Sequence, residues 1–419
     1  MLKSNTKTIA KVLGIKDDDI KSVDFKNICT DTRKRMDGAI FLALIGDNFD
    51  AHNYIDKAKE MGAIAVIVSK EVKSSLPVLL VNDTQLALSK IANWHLNNIK
   101  PIAIAITGSN GKTTTKNMLA NILKLQAPTL ATKGNLNNHL GVPMTLLELE
   151  EQHQYAVIEM GANHLGEISK LRELVQPDIA IVTNTGDAHI GEFGGFDNLV
   201  TAKGEIYSKD SQNIVNTKTS FTGDVSFGNG GDIFASNIKN NNFELNINDE
   251  KIDITLNLIG EHNIENALAA SACAYSLGID LGLIKQGLEN TQAETGRLNI
   301  IKHNKLTIID DSYNSNPHSV KSAIRALQGF EGEKIIVLGT MAELGADSET
   351  LHNEVGKLAK DSATEFYSYG AMAESYNGTH FDYKQQLADH ILTKHHSSTV
   401  LIKGSRVTKL DELVTLLQK

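Results

Sequence analysis

A glycine-rich segment at residues 107–115, Thr-Gly-Ser-Asn-Gly-Lys-Thr-Thr-Thr, is the part of the chain whose residue types most directly indicate chemistry. It stands between a hydrophobic strand predicted at 102–107 and a helix predicted at 112–125. Glycines let backbone N–H groups surround phosphate oxygens, a helix N-terminus is partly positive, a lysine can bridge terminal phosphates, and a threonine hydroxyl can bind Mg²⁺. Gly108 and Gly111 are closer together than in the full P-loop motif, so a glycine turn that only caps a helix is the alternative. We predict that ATP binds to Thr107, Gly108, Ser109, Asn110, Gly111, Lys112, Thr113 and Thr114.

Two further candidate side chains follow predicted strands. Glu159 lies near the end of a strand at 155–160, and His189 follows a strand at 179–184. The carboxyl ends of parallel strands line the ligand crevice of an α/β sheet. A carboxylate and an imidazole at that edge can take part in a Mg²⁺ site that also includes substrate phosphates and waters. Taken alone, either residue could equally be an ordinary hydrogen-bonded turn residue.

The elements that must position these residues alternate between strand and helix, which predicts an α/β fold with parallel sheets. Residues 1–82 form a small N-terminal α/β domain in this prediction. Residues 83–296 form a central domain with the phosphate loop and a small β insertion between 211 and 258. Residues 297–419 form a Rossmann-like domain, in which the missing GxGxxG disfavours a dinucleotide site.

Composition excludes several classes of protein. The 419 residues carry 41 Lys and Arg against 50 Asp and Glu, a net charge of −9, which argues against a nucleic-acid binder. No apolar run approaches the roughly 18 residues of a membrane helix, and the N-terminus does not resemble a signal peptide. Cys29 and Cys273 are too few for a zinc or disulfide framework. We expect a cytoplasmic α/β enzyme with no membrane partner.

Five motifs carry a resemblance to a known family. They are TGSNGKTTT, EMGA at Glu159, TNTGDAHIGEFG around His189, AKGEIY at 202–207 and GEHNIENALAA at 260–270. Together they resemble the Mur ligases, three-domain ATP-dependent enzymes that form amide bonds in peptidoglycan synthesis. The chain is most similar to the branch that adds D-alanyl-D-alanine to UDP-N-acetylmuramoyl-tripeptide. The motifs of that branch stand at 29–55, 134–143, 310–324, 341–345 and 403–406.

The resemblance implies a reaction through an acyl phosphate. The tripeptide carboxylate attacks the γ-phosphate of ATP, the amine of D-Ala-D-Ala attacks the product, and phosphate leaves. Lys112 and two Mg²⁺ ions would offset the negative charge of this step. The family's metal ligands correspond to Thr113, Glu159, His189 and Lys203, and the resemblance implies that Lys203 is carbamylated. Without it, Lys203 would be interpreted as a solvated charge on an amphipathic helix.

The resemblance also assigns substrate contacts. Those to adenine, phosphate and ribose correspond to Asn266, Arg297 and Asp311. The UDP-sugar corresponds to Asp31, Thr32 and Arg33, although Arg33 could also be a surface ion pair. Asn137 and Asn138 correspond to a loop near the sugar and the reacting carboxylate. The chain departs from the family at Thr340, where the family usually has aspartate, and we expect a monomer.

Two other functions stay open from sequence. One is a sister ligase with a different amine, such as the third amino acid of the same peptide or the glutamate added to folate. The other is a nucleotide-binding regulator without turnover. The KGSR and YNSNP segments favour the dipeptide ligase, and the presence of Lys112, Glu159, His189 and Lys203 together disfavours a regulator.

Overall fold

The structure, a computed structural model of the chain, describes residues 4–16, 20–186, 190–395 and 397–419. Contacts between Cα atoms divide the chain into two compact units. The first unit consists of Met1–Ala105, Ala127–Gly161 and Ser169–Asp178. The second unit consists of Ile106–Gln126, Ala162–Ile168 and Ile179–Lys419.

In its described residues, the N-terminal part contains short strands and three α-helices. In chain order they are β1 Ser4–Asn5, α1 Thr6–Leu13, β2 Asp24–Phe25, β3 Ile28–Cys29, β4 Ile40–Leu42, β5 Ile45–Gly46, β6 Phe49–Asp50, α2 Ile55–Glu60, β7 Ala65–Val68, β8 Val78–Leu80 and α3 Thr84–Ile99. Helix α3 begins where the Asp83 carboxylate accepts hydrogen bonds from two backbone N–H groups of its first turn. It ends at Lys100, which has a left-handed backbone conformation.

The middle of the chain alternates strands and helices, followed by a run of strands. These elements are β9 Ile102–Thr107, α4 Lys112–Gln126, β10 Thr129–Ala131, α5 Gly141–Leu146, β11 Tyr155–Glu159, α6 Glu167–Val175, β12 Ile179–Val182, α7 Ile190–Phe193, α8 Phe196–Gly204, β13 Gln212–Asn216, β14 Val225–Phe227, β15 Ile233–Lys239, β16 Asn242–Ile247, β17 Glu250–Thr255, α9 Glu261–Ser276 and α10 Leu281–Glu289.

The C-terminal part again alternates strands and helices. Its elements are β18 Asn299–His303, β19 Leu306–Asp311, α11 Pro317–Leu327, β20 Glu333–Gly339, α12 Ser348–Ser362, β21 Glu365–Tyr369, β22 Thr379–Phe381, α13 Lys384–Lys394, β23 Ser398–Lys403 and α14 Asp411–Leu416. Throughout the described ranges, no helix is both long and apolar enough to cross a membrane.

Three of the sheets are larger than a hairpin. The order of the first is β3-β4-β7-β8, with every pair parallel. A nine-stranded sheet has the order β10-β11-β9-β12-β13-β14-β15-β16-β17, and its last two pairs are antiparallel. The third has the order β18-β19-β23-β20-β21-β22, and β18 is its antiparallel edge strand.

Strand β20 illustrates why the C-terminal sheet is buried on both faces. Successive side chains of a strand point to opposite faces. Ile336 and Leu338 join a hydrophobic cluster with residues of α11 and α12. Ile335 and Val337 join a second cluster with residues of α13 and α14. The strand is therefore apolar without alternation, as expected for a parallel strand covered by helices on both sides.

The α/β fold class with parallel sheets, predicted from the sequence, is confirmed, and the domain boundaries at 82 and 296 remain a prediction. The predicted β region at 211–258 contains five strands, β13 to β17. They continue the nine-stranded sheet, since Ile214 of β13 pairs with Ile181 of β12. Helix α1 was not predicted from the sequence, although Asn5 caps its start and Gly14, with left-handed backbone, follows its end.

Candidate functional site

The phosphate loop, residues 107–115, connects β9 to α4, and two glycines allow its shape. Gly108 has φ 145° and Gly111 has φ 78°, angles that other residues rarely adopt. A Cβ on Gly108 would lie 2.0 Å from Thr183 Oγ1, and a Cβ on Gly111 would lie 2.1 Å from Asn266 Oδ1. Both positions therefore require glycine for backbone conformation and for space.

The residues that follow β12 hold this loop by hydrogen bonds. Asn184 accepts from Ser109 N at its carbonyl oxygen (3.0 Å) and from Asn110 N at its side-chain Oδ1 (3.0 Å). In return, the Asn110 carbonyl accepts from Thr183 Oγ1 (2.6 Å) and from Asn184 Nδ2 (3.1 Å). The loop backbone is thus fixed from one side by neutral hydroxyl and amide groups.

Lys112 and Thr113 are the first residues of α4. Lys112 Nζ donates to the carbonyls of Gly108 (2.7 Å) and Ser109 (3.3 Å), so the ammonium group lies against the loop. Thr113 is buried at the helix start. Backbone N–H groups, a partly positive helix end and an ammonium group therefore meet in one place, as phosphate binding requires.

Asn266 of α9 lies beside Gly111. Its Oδ1 accepts from Thr115 Oγ1 (3.4 Å), and its Nδ2 donates to Asn263 Oδ1 (3.0 Å). Both asparagines are at least 95% buried. In this structure the side chain that the resemblance assigns to adenine supports the phosphate loop from α9.

Arg297 is held between a carboxylate and an aromatic ring. Its Nε lies 3.5 Å from Glu294 Oε2, and its guanidinium carbon lies 4.2 Å from the centre of the Tyr313 ring. Glu294 Oε1 also accepts from Asn117 Nδ2 of α4 (2.9 Å). A narrow cleft beside the phosphate loop is lined by Thr114, Asn117, Asn263, Glu294 and Arg297, among others.

Asp311 forms a largely buried ion pair with Lys403 that was not predicted from the sequence. Lys403 Nζ donates to Asp311 Oδ2 (2.6 Å) and to the Asn314 carbonyl (2.9 Å), and Leu298 N donates to Asp311 Oδ1 (3.2 Å). Burial raises the pKa of Asp311, and the charge of Lys403 opposes that rise. In the sequence, the available signal for this pair is a lysine in the KGSR motif that ends a buried strand.

Lys203, in the last turn of α8, is 1% exposed. Its Nζ lies 5.0 Å from the centre of the Phe193 ring. Burial, and then the charge of Lys112, lower the pKa of Lys203 to about 7, against the opposing effect of Glu167 and Glu205. The interpretation as a solvated surface charge is therefore wrong. Roughly half of these side chains are neutral at pH 7.

Glu159, at the end of β11, is 2% exposed and only partly hydrogen-bonded. Oε1 accepts from Asn137 Nδ2 (2.8 Å), and the backbone N donates to Thr132 Oγ1 (3.0 Å). Oε2 is buried without a hydrogen-bond partner in the described part of the chain. The side-chain Oδ1 of the neighbouring Asn138 instead accepts from Gly141 N, the first residue of α5 (2.9 Å).

Mg²⁺ fits this donor set. A buried carboxylate oxygen without a partner, such as Glu159 Oε2, is costly unless a cation or donor satisfies it. A carboxylate oxygen of this kind is a ligand that Mg²⁺ prefers. Between residues 4 and 419, apart from 17–19, 187–189 and 396, no group of three His, Cys, Asp or Glu side chains could hold a metal alone.

The candidate UDP-sugar residues lie in the first unit. Arg33 forms a two-bond pair with Asp31, Nε to Oδ1 at 2.8 Å and Nη2 to Oδ2 at 3.0 Å. Hydrogen bonds from Arg33 lower the pKa of Asp31 to about 2. The Arg33 side chain is 88% exposed. Thr32, between them, is partly exposed.

The second unit therefore brings together the phosphate loop, Asn266, Arg297 and Asp311, and it buries Lys203. Glu159 and Asn137 are joined within the first unit, where Asp31 and Arg33 form a separate surface pair. His189 lies outside the described residues.

Comparison with known families assigns the class of protein. The family model of the Mur ligase middle domain matches residues 106–274, and that of the Mur ligase, glutamate ligase domain, matches residues 296–406. The first match contains the phosphate loop and Lys203, and the second contains Arg297, Asp311 and Lys403. The chain belongs to the Mur ligase family.

Individual relatives narrow the similarity to one branch. The UDP-N-acetylmuramoyl-tripeptide–D-alanyl-D-alanine ligase of Haemophilus influenzae is 39% identical over 99% of this chain and 98% of its own. A crystal structure of MurF from Acinetobacter baumannii superposes with a TM-score of 0.93 at 37% identity, covering 100% of this chain and 99% of that one. The crystal structure of MurF ligase from Thermotoga maritima in complex with ADP superposes with a TM-score of 0.86 at 27% identity, covering 94% of this chain and 97% of that one.

Proposed function

We propose that this chain joins D-alanyl-D-alanine to UDP-N-acetylmuramoyl-tripeptide with ATP, giving the pentapeptide, ADP and phosphate for cell-wall synthesis. The tightly built phosphate loop at the start of α4 carries the ATP half of this proposal. The full-length similarity to ligases of that name supports the choice of substrates.

The loop binds the ATP phosphates in this proposal. Its N–H groups and Lys112 Nζ surround the β- and γ-phosphates, and Arg297 binds a phosphate from the cleft side. The tripeptide carboxylate attacks the γ-phosphorus, the bond from that phosphorus to the β,γ-bridging oxygen breaks, and ADP leaves with the electron pair. An anion thus approaches an anion, and the nearby positive groups lower that barrier. The dipeptide amine then attacks the acyl phosphate, the C–N bond forms, and phosphate leaves with the C–O electron pair.

Thr113 and Glu159 would hold one Mg²⁺, and His189 together with Lys203 would serve a second. Bound Mg²⁺ neutralises charge on the phosphate oxygens. A neutral Lys203 amine can attack CO₂, forming an N–C bond and releasing a proton, to give an anionic carbamate. A pKa near 7 supports this, because an amine with the ordinary pKa of 10.5 would be only about 0.03% neutral at pH 7.

The remaining substrates would bind on other elements. Asp31, Thr32 and Arg33 would bind the UDP moiety, with Asn137 and Asn138 near the sugar and the reacting carboxylate. Asn266 and Asp311 would serve the adenine and ribose, and the C-terminal residues would receive the dipeptide. We infer a monomer that works in the cytoplasm on these small molecules.

Phosphate release tests this function. The protein is incubated with ATP, Mg²⁺ and UDP-N-acetylmuramoyl-tripeptide, and D-Ala-D-Ala is compared with free diamino acids and with glutamate on a folate acceptor. Dipeptide-dependent release that is abolished in Lys112→Ala is expected. Release with a free amino acid would identify a sister ligase, and no release with any amine would indicate a nucleotide-binding regulator.

Carbamylation has its own test. Incubation with ¹³C-bicarbonate should give a carbamate carbonyl NMR signal in the wild type and none in Lys203→Ala. Absence of the signal at saturating bicarbonate would refute this part of the proposal and leave the ligase activity standing.

A further inference from the structure

We propose that Asn316 is a positioning residue that sets the phosphate loop from the start of α11, a role that rests on the proposed function for its catalytic consequence. Asn316 Nδ2 donates to Asn110 Oδ1 (2.9 Å), a contact between residues 206 positions apart in the chain. Asn110 lies in the middle of the phosphate loop. The C-terminal part thereby contacts the element that binds the ATP phosphates.

Asn316 is itself rigidly oriented. Its Oδ1 accepts from Ser319 N (2.9 Å), and Ser319 Oγ accepts from Asn316 N (3.1 Å), so the two residues form a reciprocal capping box. Asn316 is 8% exposed, and Pro317 follows at the first helical position. Because the cap uses the side-chain oxygen, the amide Nδ2 is turned toward Asn110.

The segment before Asn316 is fixed to the C-terminal sheet. Lys403 Nζ donates to the Asn314 carbonyl (2.9 Å), and Ser312 Oγ donates to Asp310 Oδ1 (2.6 Å). Residues at the ends of β19 and β23 therefore determine where Asn316 stands. Through these contacts, the shape of the phosphate loop depends on the position of the C-terminal sheet.

The contact completes the support of Asn110. Its backbone N–H and carbonyl are held by Thr183 and Asn184 after β12, on the nucleotide-binding side of the second unit. Its side-chain oxygen is held by Asn316. Removing the Asn316 amide while keeping the cap should therefore loosen the loop without unfolding α11.

Asn316→Ser makes that change, because serine is also a good N-cap but its hydroxyl is too short to reproduce the amide contact. Loss of one neutral hydrogen bond predicts a rise of roughly two- to tenfold in the KM for ATP and in the Kd for MgADP, with kcat less affected. Ser319→Ala is the matched control. It removes half of the capping box and keeps the Asn110 contact, so the melting temperature should fall while both constants stay near the wild type.

A double-mutant cycle decides between coupling and coincidence. In Asn110→Ala the acceptor is already gone, so adding Asn316→Ser should weaken MgADP binding no further. Two results would overturn the role of Asn316. One is a wild-type Kd for MgADP in Asn316→Ser. The other is a double variant whose fold-change in this Kd equals the product of the fold-changes of the two single variants. MgADP binding needs neither the tripeptide nor the dipeptide. A wild type that binds MgADP but releases no phosphate with D-Ala-D-Ala would therefore refute the proposed function and leave this test intact.

Discussion

Replacement of Lys203 by methionine should stabilise the fold while it removes activity. The wild-type ammonium group is 1% exposed, and its pKa falls from 10.5 to about 7 on folding, chiefly through burial. Well below pH 7 both the folded and the unfolded lysine are protonated, and the penalty is at its full size of about 5 kcal/mol. Between pH 7 and 10.5 the unfolded state binds more protons than the folded state, so wild-type stability rises with pH through that range.

Methionine has similar length and no charge, so Lys203→Met removes this penalty. The expected gain in the free energy of unfolding is about 4 kcal/mol at pH 7 and falls to about 2 kcal/mol at pH 9. Urea unfolding followed by circular dichroism, in buffer free of CO₂ and nucleotide, measures both values. Lys209→Met is the control, because it replaces an exposed lysine five residues after α8 and so removes a lysine without removing a buried charge.

Two results would refute this reasoning. A Lys203→Met protein less stable than the wild type at pH 6 would mean that the ammonium group contributes more than its burial costs. A gain that stays constant from pH 6 to pH 9 would mean that it does not arise from protonation. The same protein should release no phosphate with D-Ala-D-Ala, because stability gained at a functional site commonly costs activity.

Three further changes test the site. Glu159→Gln should keep or raise the melting temperature, because a buried carboxylate oxygen without a partner in the described residues is replaced by part of a neutral amide. It should also raise the Mg²⁺ concentration needed for half-maximal activity, and an unchanged Mg²⁺ titration would contradict the metal assignment. Gly111→Ala should lower the free energy of unfolding by at least about 1 kcal/mol, because alanine disfavours the left-handed backbone at this position. Its Cβ would also clash with Asn266 and weaken MgADP binding, measured by calorimetry; wild-type ADP affinity would show that the loop tolerates a side chain. Lys403→Met leaves the largely buried Asp311 carboxylate without its ion-pair partner, at a cost of about 3–5 kcal/mol in urea unfolding. Adding Asp311→Asn should recover most of that loss; no recovery would mean that packing, not charge, is responsible.

The phosphate loop could be predicted from sequence because its chemistry is local. Strand, glycines, lysine, threonine and helix follow one another within a short segment, and each has a fixed part in binding phosphate. The fold class was equally accessible, because apolar strands alternating with helices admit few architectures. The start of α1 could have been found from Asn5 and Gly14.

The supports of the loop could not be predicted in this way. Whether Lys203 is solvated or buried depends on what packs against α8, and the helical pattern around it is compatible with both. The partners of Asn110 and of Asp311 are distant in sequence, at Asn316 and Lys403, and pairing of strands β19 and β23 decides which side chains meet. Such contacts depend on the topology of the sheet, which the residue types themselves do not specify.

The chemistry of the supports explains how an acidic protein can bind anions. With a net charge of −9, the chain has no general attraction for ATP or a UDP-sugar. Thr183, Asn184, Asn266 and Asn316, which hold the loop, all use hydroxyl or amide groups. A carboxylate in any of these places would also accept hydrogen bonds, but at about 4 Å from a phosphate oxygen it would add repulsion of about 4 kcal/mol at an effective dielectric constant of 20. Neutral supports let the backbone N–H groups, the helix end and Lys112 act on the phosphates without that opposition.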